Sequence, residues 1–498
     1  MSPLYRLLGL SFGAVGAFGA SANRNPAHLE ARDALRSCLS EAVGADDSRV
    51  QFPDEPGFYN KDVRPYNLNL QYKPFAVTYP NTTQEVSDII LCAGTHNRKV
   101  QARSGGYDFI NKCIGGAGGA IVVDLKSFDA LEVDQATNIA TVGPGNVLKE
   151  LVEGLHANGG RYISHGSAPT VGVGGHLMVG GMGFSSRQNG LLIDALTEVE
   201  VVLANGTITR ASEVNNPDLF WAMRGAGASF GIATEFNFRT KPEPETVVAW
   251  TYNVTSDDPA VLSEAWKAYH EVVKDPSLSI KLGGNALLLK SSFVLNGAFF
   301  GSESDFNDIN LIGRLPPAST TTIRPGLTWI EFMQGIFSLP AGTPSPAYFY
   351  TSDTGVTRDT LPSNSSIDAF LEHLFAADDL SSNWTFLLDL YGGKIKDVAV
   401  DATAFPHRDV LYFITAQVST TKPTTAKSKK FLEDAVLKLQ NNEPEKYGSY
   451  LGVPSLGHKN PQEKYWRSNL AQLETLKARF DPDDVFSTPQ NVKPAKSS

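Results

Sequence analysis

A chain of 498 residues with 42 % hydrophobic and 19 % charged side chains has an ordinary globular make-up and is long enough for two or three domains. Its 43 Lys and Arg stand against 53 Asp and Glu, a formal charge of −10 that excludes nucleic acid and anionic membrane as expected partners. Its nine histidines include no H-x-x-x-H pair and no Cys/His cluster, so no metal is expected.

The chain opens with MSPLYRLLGLSFGAVGAFGASAN. One positive charge at Arg6 precedes an apolar run over 7–20, followed by the small-residue site Ala20-Ser21-Ala22. The run is too short to span a bilayer and reads as a secretory signal peptide over 1–22, with an extracellular mature chain starting near Asn23. Five Asn-x-Ser/Thr sites, at Asn81, Asn205, Asn253, Asn364 and Asn383, fit a secreted glycoprotein. Of the three cysteines, Cys38 and Cys92 are the favoured pair, tying the N-terminal segment to the helix-like stretch TQEVSDIILCAGTHN, with Cys113 left over. Three buried thiols are the alternative.

Strand patterns follow at AIVVDL (120–125), ATVGPG (140–145), LTEVEVVLANG (196–206) and GIATEFNFRT (231–240). Between them NVLKELVEGLHANGG has apolar residues at helical spacing and stops at Gly159-Gly160. The proline-broken KPEPE (241–245) marks a boundary, after which 246–440 is a second strand-and-helix region. Near the end, PQEKYWRSNLAQLETLKARF predicts one long helix stopped by Asp481-Pro482.

Three segments are crowded with glycine: RSGGYDF (103–109), SAPTVGVGGHLMVGGMG (167–183) and GAGASFG (225–231). Missing Cβ atoms let main chain approach a ligand closely. The spacing does not fit a dinucleotide fingerprint: the run from Gly172 lacks the sixth-position glycine, and GAGASFG places its last one residue too late. Three clusters together point to a large, flat, phosphate-bearing cofactor held among backbone amides.

RSGG (103–106), PTVGVGGHLMVGGMGFSSRQNGLLID (169–194), NPDLFWAMRGAGASFGIATEFNF (216–238), FPHR (405–408) and RFDPDDVFSTPQ (479–490) occur in this order. The set resembles the vanillyl-alcohol-oxidase superfamily of FAD enzymes, and within it the berberine-bridge-enzyme-like branch with its secreted fungal gluco- and chitooligosaccharide oxidases. The resemblance implies an α+β fold in two parts. The FAD-binding domain takes 23–245 with the C-terminal segment 441–498 returning to it. The substrate domain, 246–440, roofs the flavin with an antiparallel sheet flanked by helices.

It also implies FAD contacts at Arg103, Ser104, Gly105, Gly106, Tyr107, Asp108, Ala168, Val171, Gly172, Gly175, His176, Gly180, Gly181, Gly231, Ile232 and Gln490. Arg103 and Arg187 are candidates to balance the pyrophosphate charge, while His165 and His407 read as structural. In the resembling oxidases a histidine after RSGG bonds the flavin 8α-methyl, and a cysteine before the Pro-Thr-Val-Gly run bonds C6. Those positions here are Tyr107 and Ala168, so the implied FAD is non-covalent and a weaker acceptor; ~30 mV of a two-electron couple is about 1.4 kcal/mol.

The implied reaction is oxidation of a reducing-end C1 hydroxyl to a lactone, with hydride leaving to flavin N5. The second tyrosine of a Tyr-x-Asn-Tyr motif is the base, matched by Tyr450 in Tyr447-Gly448-Ser449-Tyr450. Asp389, in LLDLYGG, is its hydrogen-bonded proton partner. Ser449 replaces the motif's asparagine, and Gly452 a downstream aspartate. Substrate-facing positions fall on Phe109, Leu387 and Gln417, the first two less polar than in the sugar oxidases. Val171 is where the branch admits O2 to the reduced flavin, and a quinone is the alternative acceptor. The protein is expected to be a monomer. A flavin-free binding protein and an FAD enzyme of secondary metabolism are the competing readings.

Overall fold

The computed structural model describes residues 26–339, 345–376 and 383–496, so the expected signal peptide lies outside the described residues. The N-terminal half holds two sheets. The first takes β1 (Val50–Gln51), β2 (Ala76–Thr78), β3 (Val100–Arg103) and β4 (Ile121–Asp124) in the order β1-β2-β4-β3, with β2, β4 and β3 parallel. Such short, nearly all-apolar strands are what a sheet covered on both faces requires. Helices Pro26–Ala42 and Thr83–Thr95 pack over it, joined by the Cys38–Cys92 disulfide, Cα atoms 5.9 Å apart, while Cys113 is free.

The second sheet is antiparallel. It runs through β5 (Leu131–Asp134), β6 (Ile139–Val142) and, past the short strand β7 (Arg161–Tyr162), β8 (Leu196–Val202), β9 (Ile208–Ser212) and β10 (Ile232–Arg239), in the order β5-β6-β10-β8-β9. Strand β11 (Lys241–Pro242) pairs with β7 at the proline-broken boundary.

The second region builds a seven-stranded antiparallel sheet from β12 (Val247–Thr255), β13 (Leu282–Leu289), β14 (Ser292–Phe299), β15 (Thr320–Leu327), β16 (Tyr348–Val356), β17 (Asn383–Leu390) and β18 (Tyr412–Thr420). Their order is β15-β12-β14-β13-β17-β18-β16. Period-two alternation sets its two faces. Trp250, Tyr252, Leu288, Phe386, Leu388, Tyr412 and Ile414 face a core shared with helices Pro259–Lys274, Asn364–Phe375 and Ala426–Leu439. At roughly 1.5–3 kcal/mol per fully buried large apolar side chain, this face dominates the region's stability. The alternate residues, Leu387, Asp389, Phe413 and Thr415 among them, look the other way, toward the N-terminal half.

The C-terminal residues Tyr465, Trp466, Leu473, Leu476 and Val492 are buried in the same core as Ala140, Leu151 and Phe220 of the N-terminal half. The single helix predicted over 461–480 is instead two, Pro461–Trp466 and Leu470–Phe480, broken at Arg467 with φ 43°. Tertiary anchors at the break override the helical pattern: the Trp466 indole donates to Gly225 O at 3.1 Å, and Asn469 Nδ2 to the carbonyls of Val400 and Thr403.

Candidate active site

A cavity of about 420 Å³ opens where the two halves and the C-terminal segment meet. Its walls come from Ser104–Phe109, Gly166–Ala168, Val171–Gly172, Gly174–His176, Met182–Phe184, Gly231, Asn285, Leu387, Asp389 and Tyr450–Val453. Two glycine loops form the bed main chain on main chain. A Cβ on Gly105 would collide with the Gly172 amide, and one on Gly172 with Ser104 Oγ and the Gly105 amide. Ser104 Oγ fastens the pair to Pro144 O at 2.5 Å. On Gly175 a Cβ would meet nothing, so that wall is bare backbone facing open space. A bed without side chains fits a flat cofactor carrying a pyrophosphate.

His176 joins this bed. Its Nε2 accepts from the Gly166 amide at 2.8 Å, and burial pushes the imidazole down to about 3, so the ring is neutral with its proton on Nδ1. The hydrogen bond under the loop and the place on the cavity wall belong to one residue.

Tyr450 and Asp389 face the same cavity from different elements, Asp389 from β17 and Tyr450 from the C-terminal segment. Burial pushes Asp389 up to about 7, and burial together with the Asp389 charge raises the Tyr450 phenol well above its ordinary value. The nearby Gly181 amide acts in the opposite direction, favouring the phenolate. No direct hydrogen bond joins the two groups, contrary to the sequence expectation; a single water can complete general-base geometry. The Tyr450 ring is held against Phe413, centroids 5.6 Å apart, and Phe405 at 6.4 Å. A Cβ on Gly452 would strike its hydroxyl and ring, so the glycine that replaces the expected aspartate makes room for the phenol.

Toward the Tyr107 end the walls are aromatic. Tyr107 and Phe109, on the wall, lie 5.3 and 5.8 Å from Tyr66 between ring centroids, and Phe349, off the wall, packs on Tyr66 at 5.1 Å. Tyr66 reaches this place because its neighbour Asn67 bridges to Ala347 and donates to Phe349 O at 3.3 Å. Its phenol is pushed up to about 12 by burial and by Tyr107.

Several expected contacts lie elsewhere. Arg103 is 1 % exposed and off the cavity wall; its guanidinium is taken by Asp124 at 2.6 Å and Val63 O at 2.8 Å, so β4 and not a phosphate balances its charge. Arg187 donates to the carbonyls of Leu282, Leu278, Ser279 and Tyr391, fastening the N-terminal half to the large sheet. Gly180 backs the Tyr450 and Phe405 rings and Gly181 abuts Leu192, so this second glycine pair serves the tyrosine and not the bed. Ile232 points into the core around Ile121, and Gln490 is buried between Tyr465 Oη at 2.8 Å and Ser455 O at 2.7 Å, leaving Asn491 on the wall. Gln417 pairs with Ser419 Oγ at 2.6 Å, one register row beyond Leu387 and off the wall. Asp108 lines the cavity, but its carboxylate caps the amides of Ile110 and Lys112. Tyr66, Lys112, Cys113 and Asn285 line the cavity without a signal in the sequence that singled them out.

Comparison with known proteins places this chain among FAD-binding oxidoreductases. Residues 74–212 match the FAD binding domain family, and 449–493 the berberine and berberine-like family. The FAD-linked oxidoreductase sorD of Penicillium rubens is 34 % identical over 94 % of this chain and 100 % of its own length. The carbohydrate oxidase of Microdochium nivale is 33 % identical over 97 % of this chain and 99 % of its own. The solved glucooligosaccharide oxidase of Acremonium strictum, with its 6-S-cysteinyl, 8α-N1-histidyl FAD, superposes with a TM-score of 0.83 at 28 % identity, covering 93 % of this chain and 100 % of that one.

Proposed function

This chain belongs to the FAD-linked oxidoreductases of the berberine-bridge-enzyme-like branch, and from that premise we propose that it is a secreted enzyme oxidising the reducing-end C1 hydroxyl of an oligosaccharide to a lactone. The observation that carries this reading is the convergence of Tyr450 and Asp389 on one cavity floored by the bare backbone of Gly105, Gly172 and Gly175. The carbohydrate oxidase relative supports the choice of a sugar. Tyr107 and Ala168 offer neither an imidazole nor a thiolate, which supports a dissociable FAD.

FAD, when bound, supplies the two-electron acceptor for the hydride. Gly105, Gly106, Gly172 and Gly175 would hold it by main chain, with Tyr107 and His176 at its sides. Tyr450 takes the substrate's hydroxyl proton while its own passes to the Asp389 carboxylate on the same cavity. Neither group suffices alone: a phenol raised above its ordinary value is protonated at neutral pH, whereas a carboxyl near 7 accepts a proton readily. Loss of the proton as hydride departs lowers the barrier, because hydride leaves an incipient alkoxide more easily than an alcohol. Val171, on the cavity wall, would admit O2 as the final electron acceptor, with a quinone as the alternative.

A second reading, a less polar alcohol, is favoured by the wall itself. Phe109, Tyr66, Leu387 and Leu451 line it, and Gln417 does not. Each missing polar contact removes discrimination in favour of a hydroxyl-rich substrate. An anaerobic panel decides between them. Xylobiose, cellobiose or chitobiose is expected to bleach the yellow protein within minutes. Bleaching by benzylic or allylic alcohols with indifference to every sugar would select the second reading.

A further inference from the structure

A buried acid outside the family's motifs holds the tyrosine in place. Asp353, on β16 and 1 % exposed, accepts the Tyr450 backbone N–H on Oδ2 at 2.5 Å and the Ser449 hydroxyl on Oδ1. His458 closes the group, with Nε2 2.8 Å from Ser449 Oγ and 3.2 Å from Asp353 Oδ1. On either side the Gly355 amide donates to Gly448 O at 2.9 Å, and Thr351 Oγ1 to Pro454 O at 3.3 Å. Three alternate residues of one strand, 351, 353 and 355, thus stitch down the segment that carries Tyr450.

A carboxylate removed from water is costly unless its partners repay the lost solvation, so where its donors lie says what it does. The donors to Asp353 lie on the Tyr450 segment. The register adds the functional half. Gly355, Phe413 and Asp389 form one row across β16, β18 and β17, and Asp353, Thr415 and Leu387 the next row of the same face. Asp353 and Asp389 therefore stand two strands apart on one rigid sheet, and the Tyr450 ring lies on Phe413 between them. The strand that fixes the tyrosine main chain is built into the same sheet as the acid that receives its proton.

We propose that Asp353, supported by His458, is a positioning residue that sets the Tyr450 phenol relative to Asp389, a role that rests on the reading of Tyr450 as the base. Misplacement by about 1 Å can cost ~100-fold in rate, so the clamp acts on the chemical step and not on binding.

Asp353→Asn keeps the volume but loses the charge, and must turn an N–H2 toward the Tyr450 amide or toward Ser449 and His458. Stopped-flow reduction of the flavin by xylobiose, or by whichever panel member bleaches the wild type, is expected to fall ~10–100-fold at saturation in this variant. Half-saturating substrate and the Kd of FAD should stay within about twofold, the pattern of a lost transition-state contribution. Deuterium exchange at the Tyr450 amide, read without any substrate, should accelerate at least ~10-fold. His458→Gln, at a side chain 10 % exposed, carries less folding risk and should slow reduction in the same direction by a smaller factor. Tyr450→Phe, measured alongside, separates the two claims. Fast reduction in Tyr450→Phe removes the base and the clamp with it. Slow reduction there, with wild-type rates in both Asp353→Asn and His458→Gln, overturns the clamp alone, as do parallel losses of FAD affinity and rate.

Discussion

Replacing Tyr450 by phenylalanine is expected to slow anaerobic flavin reduction at least ~100-fold, the lower end of the range for a positioned general base, while FAD still binds. The phenol oxygen is what the substitution removes. The ring remains packed on Phe413 and Phe405, and Gly452 still leaves it room, so shape and cofactor bed are kept. Equal rates for the two proteins would mean that some other group takes the hydroxyl proton.

Asp389→Asn is the second large effect, with opposite signs for activity and stability. Proton acceptance needs the carboxylate, so the wild-type reduction rate should rise with pH through a midpoint of about 7. The asparagine variant should lose that limb and run ~100-fold slower above it. For stability, the folded value lies above the ordinary carboxyl value, so the neutral form is the one the fold favours. That advantage is complete below the ordinary carboxyl range and is lost as pH rises through about 7. At pH 8 the wild type carries a poorly solvated charge, and Asp389→Asn should melt higher by about 1–3 °C, the shift expected of ~1 kcal/mol in a chain of this size. A variant that is both less stable and free of any change in pH profile would remove Asp389 from the proton path.

What the sequence disclosed depended on whether main chain or side chain acts. The glycine beds at 103–106 and 172–175 were legible because close backbone approach demands glycine, and the cavity does form there. The antiparallel sheet of 246–440 came from the family resemblance, since the sequence itself showed only a mixed strand-and-helix region there. Arg103 and Gln490 were misread for the converse reason: they sit inside motif segments, but their side chains turn away into the structural contacts of Asp124 and Tyr465. Tyr66, Phe349, Asp353 and His458 could not be found by local pattern. A lone polar residue on a strand looks like any other, and the Asn67 contact that seats Tyr66 spans some 280 residues of chain. The long C-terminal helix failed because apolar spacing does not register an indole anchored to Gly225 at the kinked end of the distant helix Pro217–Ala226.

Tyr107 and Ala168 stand where the resembling oxidases carry covalent bonds, so the proposed flavin is held without one by the glycine bed. Acid precipitation of the purified yellow protein, followed by the intact mass of the pelleted chain, tests it most directly. All of the colour is expected in the supernatant, with a chain carrying no added FAD. Yellow colour in the pellet, with a chain heavier by one FAD, would contradict it.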